Sequence, residues 1–429
     1  MVGYNQGAVL AVKVIPVLVI FVVGQVLLFA QETTRAEEIQ AERRKRAESL
    51  EPDEVSRLEK VLRDFKDKKI LERITAGFNG LRVKAGGLAT GGGFALGPEY
   101  LREDLAGGRV SARGAYQMTF RGWSKADLQV DFHGKGANPL WGQIYSVRHD
   151  YTSLNYYGSG PDSAKSGRSN YRLEDFATDA TIGGSLWNRK LILAASAGFL
   201  RVNVGPGKDA RFASSEMLYD ERSAPGISNQ PSFFRGGAFV EFDTTDVRTG
   251  PRSGTYIGAN YSHYADRDLG AYSFDRLDLD LQQYIPFFNK RRVIALRNRT
   301  SAAWAGTRRT VPFYMQPVLG GSDHLRGFRP YRFYDNNAMT WNIEYRWEVF
   351  AGMDMALFYD AGHVAPKFRS LSFRNLETSW GFGFRGNARN SVFLRFDIGF
   401  SHEGFQLWFK FNDAFFPRRV ISSSAQVAQ

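Results

Sequence analysis

Arg326 lies in a glycine-flanked run, Gly320-Gly-Ser-Asp-His-Leu-Arg-Gly-Phe328, and two carboxylates follow it at Glu344 and Asp360. A guanidinium stays charged at any ordinary pH and offers a planar fork of donors that suits carboxylate oxygens. With Gly327 permitting a tight backbone, Arg326 can sit at a loop tip and bind Glu344 and Asp360 wherever loop and acids meet. In the competing reading Arg326 is a solvated loop cation, and the acids pair locally with Arg346 or Arg385.

Catalysis finds little support in these residues. Nucleophilic chemistry needs a nucleophile within reach of a base that a third group orients, and no Gly-x-Ser-x-Gly run occurs. The histidines, His133, His149, His263, His324, His363 and His402, fall in separate segments. Ser322-Asp323-His324 is the one suggestive triple, yet sequence neighbours rarely form a triad. No metal-ligand spacing appears, and a chain with 0 Cys has neither a disulfide framework nor a Cys-ligated metal. The expectation is no enzyme, no metal and no cofactor.

The segments around the two acids alternate. In Thr340-Trp-Asn-Ile-Glu-Tyr-Arg-Trp-Glu-Val349, Trp341, Ile343, Tyr345, Trp347 and Val349 are apolar, while Asn342, Glu344, Arg346 and Glu348 are polar or charged. Met353, Met355, Leu357 and Tyr359 alternate with a set containing Asp354 and Asp360, and Leu277, Leu279 and Leu281 alternate with Asp278, Asp280 and Gln282. Successive strand side chains point to opposite faces, so each segment has one face for oil and one for water or ion pairs. Segments of about 9–11 residues suffice to cross a bilayer at a tilt. Strands in lipid must also close on themselves, because no backbone N–H or C=O can stay unpaired there. The fold class expected is all-β: a transmembrane antiparallel β-barrel of about 16 strands with a short N-terminal helical segment.

Composition agrees. A chain of 429 residues with 44 Gly, 34 Phe and 19 Tyr has a mean hydropathy of -0.34, as expected when half of every strand is polar. The net charge of +12 could suggest nucleic acid, but the basic residues are scattered over loops and inward faces. No nucleic-acid partner is expected.

Both ends change character. Residues 1–30, with Lys13 ahead of an apolar run that closes at Leu28-Phe-Ala-Gln31, are read as a signal peptide rather than a marginal transmembrane helix. Residues 31–78 form a charged helical periplasmic arm in which Val55, Leu58, Leu62 and Phe65 recur at helical spacing after Pro52. This arm either packs at the barrel mouth or plugs the lumen or binds a partner; self-association is one possibility. The barrel is placed at 79–416 and a C-terminal tail at 417–429. Strands are expected at 338–350, 353–364, 378–387, 391–402 and 404–416, and upstream at 109–120, 124–134, 140–158, 171–187, 189–204, 233–246, 254–266, 270–285 and 291–304, behind a hairpin between 80 and 100. Tight turns should alternate with long connections at 203–232, 305–337 and 365–377, as in bacterial barrels.

Taken in order, Gly320 to Phe328, Asn342-Ile-Glu-Tyr-Arg346, Phe358-Tyr-Asp-Ala-Gly362, Gly381-Phe-Gly-Phe-Arg385 and Arg395-Phe-Asp-Ile-Gly399 resemble the C-terminal barrel of the bacterial surface antigen superfamily, which holds BamA-like assembly proteins and two-partner secretion translocases. Over residues 80–416 the resemblance implies a sixteen-strand outer-membrane barrel whose sixth external loop folds into the lumen with Leu325-Arg-Gly-Phe328 at its tip. Leu325, Arg326, Gly327, Phe328, Glu344 and Asp360 are then a lid-loop lock. Phe409, Phe411 and Phe415 resemble the terminal strand signal that the barrel assembly machinery reads during insertion. Two departures stand out: the tandem periplasmic domains of the family are not apparent, and residues follow Phe416, where such barrels usually end. The expected function is insertion or secretion of proteins or lipids at the outer membrane of a Gram-negative bacterium, through a lid-gated lumen or a lateral seam. Partners would be outer-membrane lipid and unfolded protein or lipid substrates. The alternative is a passive or selective pore.

Overall fold

The computed structural model describes residues 78–134, 139–350, 352–388 and 391–411. The expected signal peptide, nearly all of the charged arm with its helix, the C-terminal tail and Phe415 lie outside these residues. The chain runs through β1 (Leu81–Gly87), β2 (Phe94–Leu105), β3 (Val110–Thr119), β4 (Ser124–His133), β5 (Leu140–Tyr156), β6 (Ser169–Leu186), β7 (Leu191–Pro206), β8 (Ser232–Asp243), β9 (Gly254–Asp266), β10 (Phe274–Phe287) and β11 (Arg292–Ala305). A long connection carries the two-residue strands β12 (Val318–Leu319) and β13 (Phe333–Tyr334), and the chain continues through β14 (Asn337–Phe350), β15 (Met353–Ala365), β16 (Glu377–Ala388), β17 (Ser391–Ser401) and β18 (Gly404–Lys410). β1–β11 and β14–β18 make one 16-stranded sheet in which chain neighbours pair, and β12 and β13 pair with each other. The ends of the sheet meet through side chains: the Phe94 and Phe411 rings lie 5.4 Å apart, and Lys410 Nζ is 3.5 Å from Thr90 Oγ1.

Alternation sets which face each residue takes. In β14, Asn342, Glu344 and Arg346 are buried while Ile343 is exposed, and in β15, Asp354 and Asp360 are buried while Leu357 and Tyr359 are exposed. Charged residues inside and large apolar residues outside define a barrel with a polar interior in lipid.

Strand ends are set by short polar side chains. β8 stops at Asp243, short of the expected 246, because Asp243 Oδ1 accepts from both the backbone N–H (2.9 Å) and the hydroxyl (2.6 Å) of Thr245 and bends the chain there. β10 opens at Phe274 instead of 270 because the Asp266 carboxylate accepts from the backbone N–H groups of Asp268, Leu269, Ala271 and Tyr272. β18 ends at Lys410 with Phe411 in a bend, short of the expected 416; residues 412–416 lie outside the described residues. At the tight-turn end, Asn188 (φ 55°) and Arg189 (φ 66°) follow Trp187 (φ 49°) in left-handed backbone, and likewise Asn289 (φ 54°) and Lys290 (φ 63°) follow Phe288 (φ 50°). Each run closes a hairpin by an N–H to carbonyl bond of 3.1 Å, from Lys190 to Trp187 and from Arg291 to Phe288. Three left-handed residues in a row set these connections apart from the two-residue hairpin turn, and Asn takes the middle position, where such backbone costs it least.

The opposite end carries the long connections and an aromatic interior. Tyr156 packs edge-on against Tyr219 (4.8 Å) and Tyr334 (5.0 Å), and Phe313 joins it at 4.8 Å. Tyr156, Tyr171, Phe313 and Tyr334 are all buried in one cluster, drawn from two strands and the β11–β14 connection.

Candidate functional site: an arginine clamp on the β11–β14 loop

The connection from β11 to β14 returns into the barrel. The β12–β13 ladder pairs Val318 with Tyr334 and Leu319 with Phe333, which fixes the neck of the loop. Gly320 (φ 108°) and Gly321 (φ 92°) then turn the chain through conformations that side-chain-bearing residues rarely adopt. Beyond them Leu325 and Phe328 are fully buried with Leu319, Phe333, Ala338 and Val364. Burying each such side chain contributes about 1.5–3 kcal/mol, which seats the tip before any charge is counted.

Arg326, 1% exposed, lies between those two anchors. Its Nη1 is 2.5 Å from Glu344 Oε2, its Nη2 is 2.7 Å from Asp360 Oδ1, and its Nε and backbone N–H each donate to Asp360 Oδ2 at 3.0 Å. The guanidinium also lies 3.5 Å from the centre of the Phe358 ring, a cation–π contact. Glu344 on β14 and Asp360 on β15 are 0% exposed, and charges so buried persist only when paired and hydrogen-bonded. The local pairing weighed as the alternative exists as well: Arg346 Nε is 2.7 Å and Arg385 Nη2 3.0 Å from Glu344. Glu344 therefore serves three guanidinium groups, whereas Asp360 takes its other hydrogen bonds from the neutral Asn342 (2.8 Å) and Ser379 (3.2 Å). Asp397 completes the network, 2.5 Å from Arg385 Nη1.

Several participants carry no signal of their own in the sequence. Trp408 Nε1 donates to the Arg326 carbonyl at 2.7 Å, and Ser401 Oγ to the Gly327 carbonyl at 2.8 Å. Both hold the loop by its backbone, from β18 and from the end of β17. Gly327 serves close approach instead of a tight turn: its backbone is not left-handed, and a Cβ there would fall 2.5 Å from the Phe400 carbonyl oxygen. Gly399 is the matching gap in the wall, where a Cβ would fall 2.3 Å from the Arg326 carbonyl oxygen.

Ser322 and Asp323 both meet Thr90 Oγ1 at 3.3 Å, Asp323 also accepts from Arg395 Nη2 at 3.2 Å, and His324 Nε2 lies 3.1 Å from Arg299 Nη1. Among the described residues no group of three or more His, Asp or Glu side chains could hold a metal ion. Phe409 and Phe411 are exposed on the outer surface with rings 5.2 Å apart.

A family model for the Omp85 superfamily domain matches residues 145–413. The chain belongs to the Omp85 superfamily. It is thus an outer-membrane β-barrel in a non-enzymatic family of assembly and translocation proteins. Among solved structures, the fold is similar to BamA from Haemophilus ducreyi, crystallised without POTRA domains 1–3, at 13% identity and a TM-score of 0.57 over 78% of this chain and 70% of that one. It is also similar to CdiB from Escherichia coli, at 12% identity and a TM-score of 0.51 over 78% of this chain and 62% of that one. The Omp85 barrel thus spans less than two thirds of the CdiB chain. No curated protein sequence matches it.

Proposed function

We propose that this Omp85 barrel inserts or secretes proteins or lipids at the outer membrane, with the β11–β14 loop as a lid on the lumen and the junction of β1 with β18 as a lateral exit. Arg326 is the latch of that lid. The observation that carries the reading is the pairing of one buried loop arginine with carboxylates on two different wall strands. A passive pore depends on an unobstructed channel, whereas here the tip of a long loop lies among inward-facing side chains of β14–β18. Membership in the superfamily supports protein substrates in particular, and the barrel assembly machinery is the expected partner for insertion through Phe409, Phe411 and Phe415.

The test pairs conductance with capture of substrate. In planar bilayers the intact chain should be mostly closed, and Arg326→Ala should open it. Photocrosslinkers placed in cells at the inward positions 338 and 356 should then capture protein or lipid. Large steady conductance in both forms, with no adduct, would replace this reading by the passive pore.

A further inference from the structure

At the loop end of the barrel, beside the junction of its first and last strands, lies a cavity of about 240 Å³. Arg121 reaches it from the β3–β4 turn, Arg168 from just before β6, Arg211 from the β7–β8 loop and Arg329 from the lid, and among the described residues the one carboxylate in its lining is Asp209. The four arginines are far apart in sequence and on different connections. Like charges gathered in one cleft repel, more strongly as water is excluded.

Arg121, Arg168 and Arg211 are each held in place by bonds that leave some of their five N–H donors over. Arg121 Nη1 donates to the Gly91 carbonyl at 2.9 Å. Arg168 donates to Asn155 Oδ1 from Nε (3.2 Å) and Nη2 (3.0 Å) and stacks 3.7 Å from the Phe212 ring. Arg211 grips Asp209 with two bonds of 2.8 Å, which holds that carboxyl down at about 2. Burial and the neighbouring Arg329 and Arg211 cations depress the Arg168 guanidinium, against the opposing pull of Tyr157 and Asp209. The floor includes the buried Trp123 and Tyr331, and Asn155 Nδ2 donates to the Pro330 carbonyl at 3.2 Å. Arg329 and Pro330 directly follow Phe328, so one wall of the cavity is the lid itself.

We propose that this cavity binds a phosphate-bearing anion, free or as a lipid headgroup, and that the bound anion ties the lid to the β3–β4, β5–β6 and β7–β8 connections. Guanidinium forks converging from several sides suit the tetrahedral, multiply charged phosphate, and the volume admits a phosphate with a small polyol attached. The aromatic floor offers a face for that polyol. Binding rests on the cavity alone; only the effect on the lid touches the gating proposal.

Native mass spectrometry of the full chain in detergent, titrated with inorganic phosphate and separately with phosphatidic acid, tests this. A saturable one-to-one adduct is expected. Arg168→Ala with Arg329→Ala should weaken it by about tenfold or more, the loss of charge-assisted bonds, while the exposed pair Arg222→Ala with Arg308→Ala should leave it unchanged. Heat-modifiable gel migration of both double variants checks that each barrel is folded. Adducts with both ligands, or with phosphatidic acid alone, assign a phosphate group or a lipid headgroup; phosphate alone assigns the free anion. No adduct with either, or equal weakening in both double variants, overturns the site. The ligand should also slow chymotryptic cleavage within 305–337, and binding without that protection overturns the tie to the lid.

Discussion

Arg326 joins two strands through one planar group, and its two partners depend on it unequally. Without it, Glu344 keeps Arg346 and Arg385 while Asp360 keeps only Asn342 and Ser379. Arg326→Ala should therefore free the lid at a cost of about 3–5 kcal/mol, the usual penalty for stranding a buried charge. Adding Asp360→Asn should recover part of that loss, with a coupling of about 1–3 kcal/mol. Hydrogen exchange across 320–330 measures both, and strictly additive effects would contradict the clamp. Arg326→Lys should rescue poorly, since a point charge cannot bridge two carboxylates as the fork does. A second lid residue responds to pH. Burial pushes the Asp335 carboxyl up to about 6, opposed by the Asn336 backbone N–H that it accepts. The folded state then binds this proton more tightly than the unfolded chain, so its contribution to stability falls as pH rises from the ordinary carboxylate range to about 6 and is level above that. Lid protection should decline over that window and lose the slope in Asp335→Asn. Glu344 and Asp360 were legible in the sequence because strand alternation puts them on the inner face. Trp408 and Ser401 were not, because each binds a backbone carbonyl, and any residue can supply one.

At the scale of elements, the lid is fastened to the last strands as much as to the wall in general. Trp408→Phe keeps the ring and removes one hydrogen bond, so exchange at the lid tip should rise by the equivalent of about 0.5–1.5 kcal/mol while barrel unfolding is unchanged. A matching rise at β18 alone, with the lid unaffected, would break the link. The junction of the sheet's ends can be tested separately, since a chain with 0 Cys accepts introduced thiols without background. Phe94→Cys with Phe411→Cys, bridged by a short bismaleimide, should block delivery of substrate to the bilayer yet leave lumen conductance intact; undiminished delivery would rule out the lateral exit. The sixteen strands were readable from their period of two. Their ends were less so, because Asp243 and Asp266 act through local side-chain bonds that periodicity does not register. The β12–β13 ladder escaped for a simpler reason: two residues are too few to show any period.

For the molecule as a whole, the outer face, the lumen and the loop end do separate jobs with residues that a linear reading mixes together. The arginine cavity shows the limit of that reading: positions 121, 168, 211 and 329 share nothing in sequence and converge only when four connections meet. The clamp has the opposite character, and its arrangement along the chain has a temporal meaning. Glu344, Asp360, Arg385, Asp397, Ser401 and Trp408 all follow the loop they hold. A polypeptide made from its N-terminus thus presents Arg326 before any of its partners exists, and the Trp408 contact waits for the final hairpin. Whatever the order in which the strands then assemble, the clamp is complete only once β14 to β18 are all in place. Protection of the 320–330 segment is accordingly a record of a completed wall, since its contacts draw on every strand from β14 to β18.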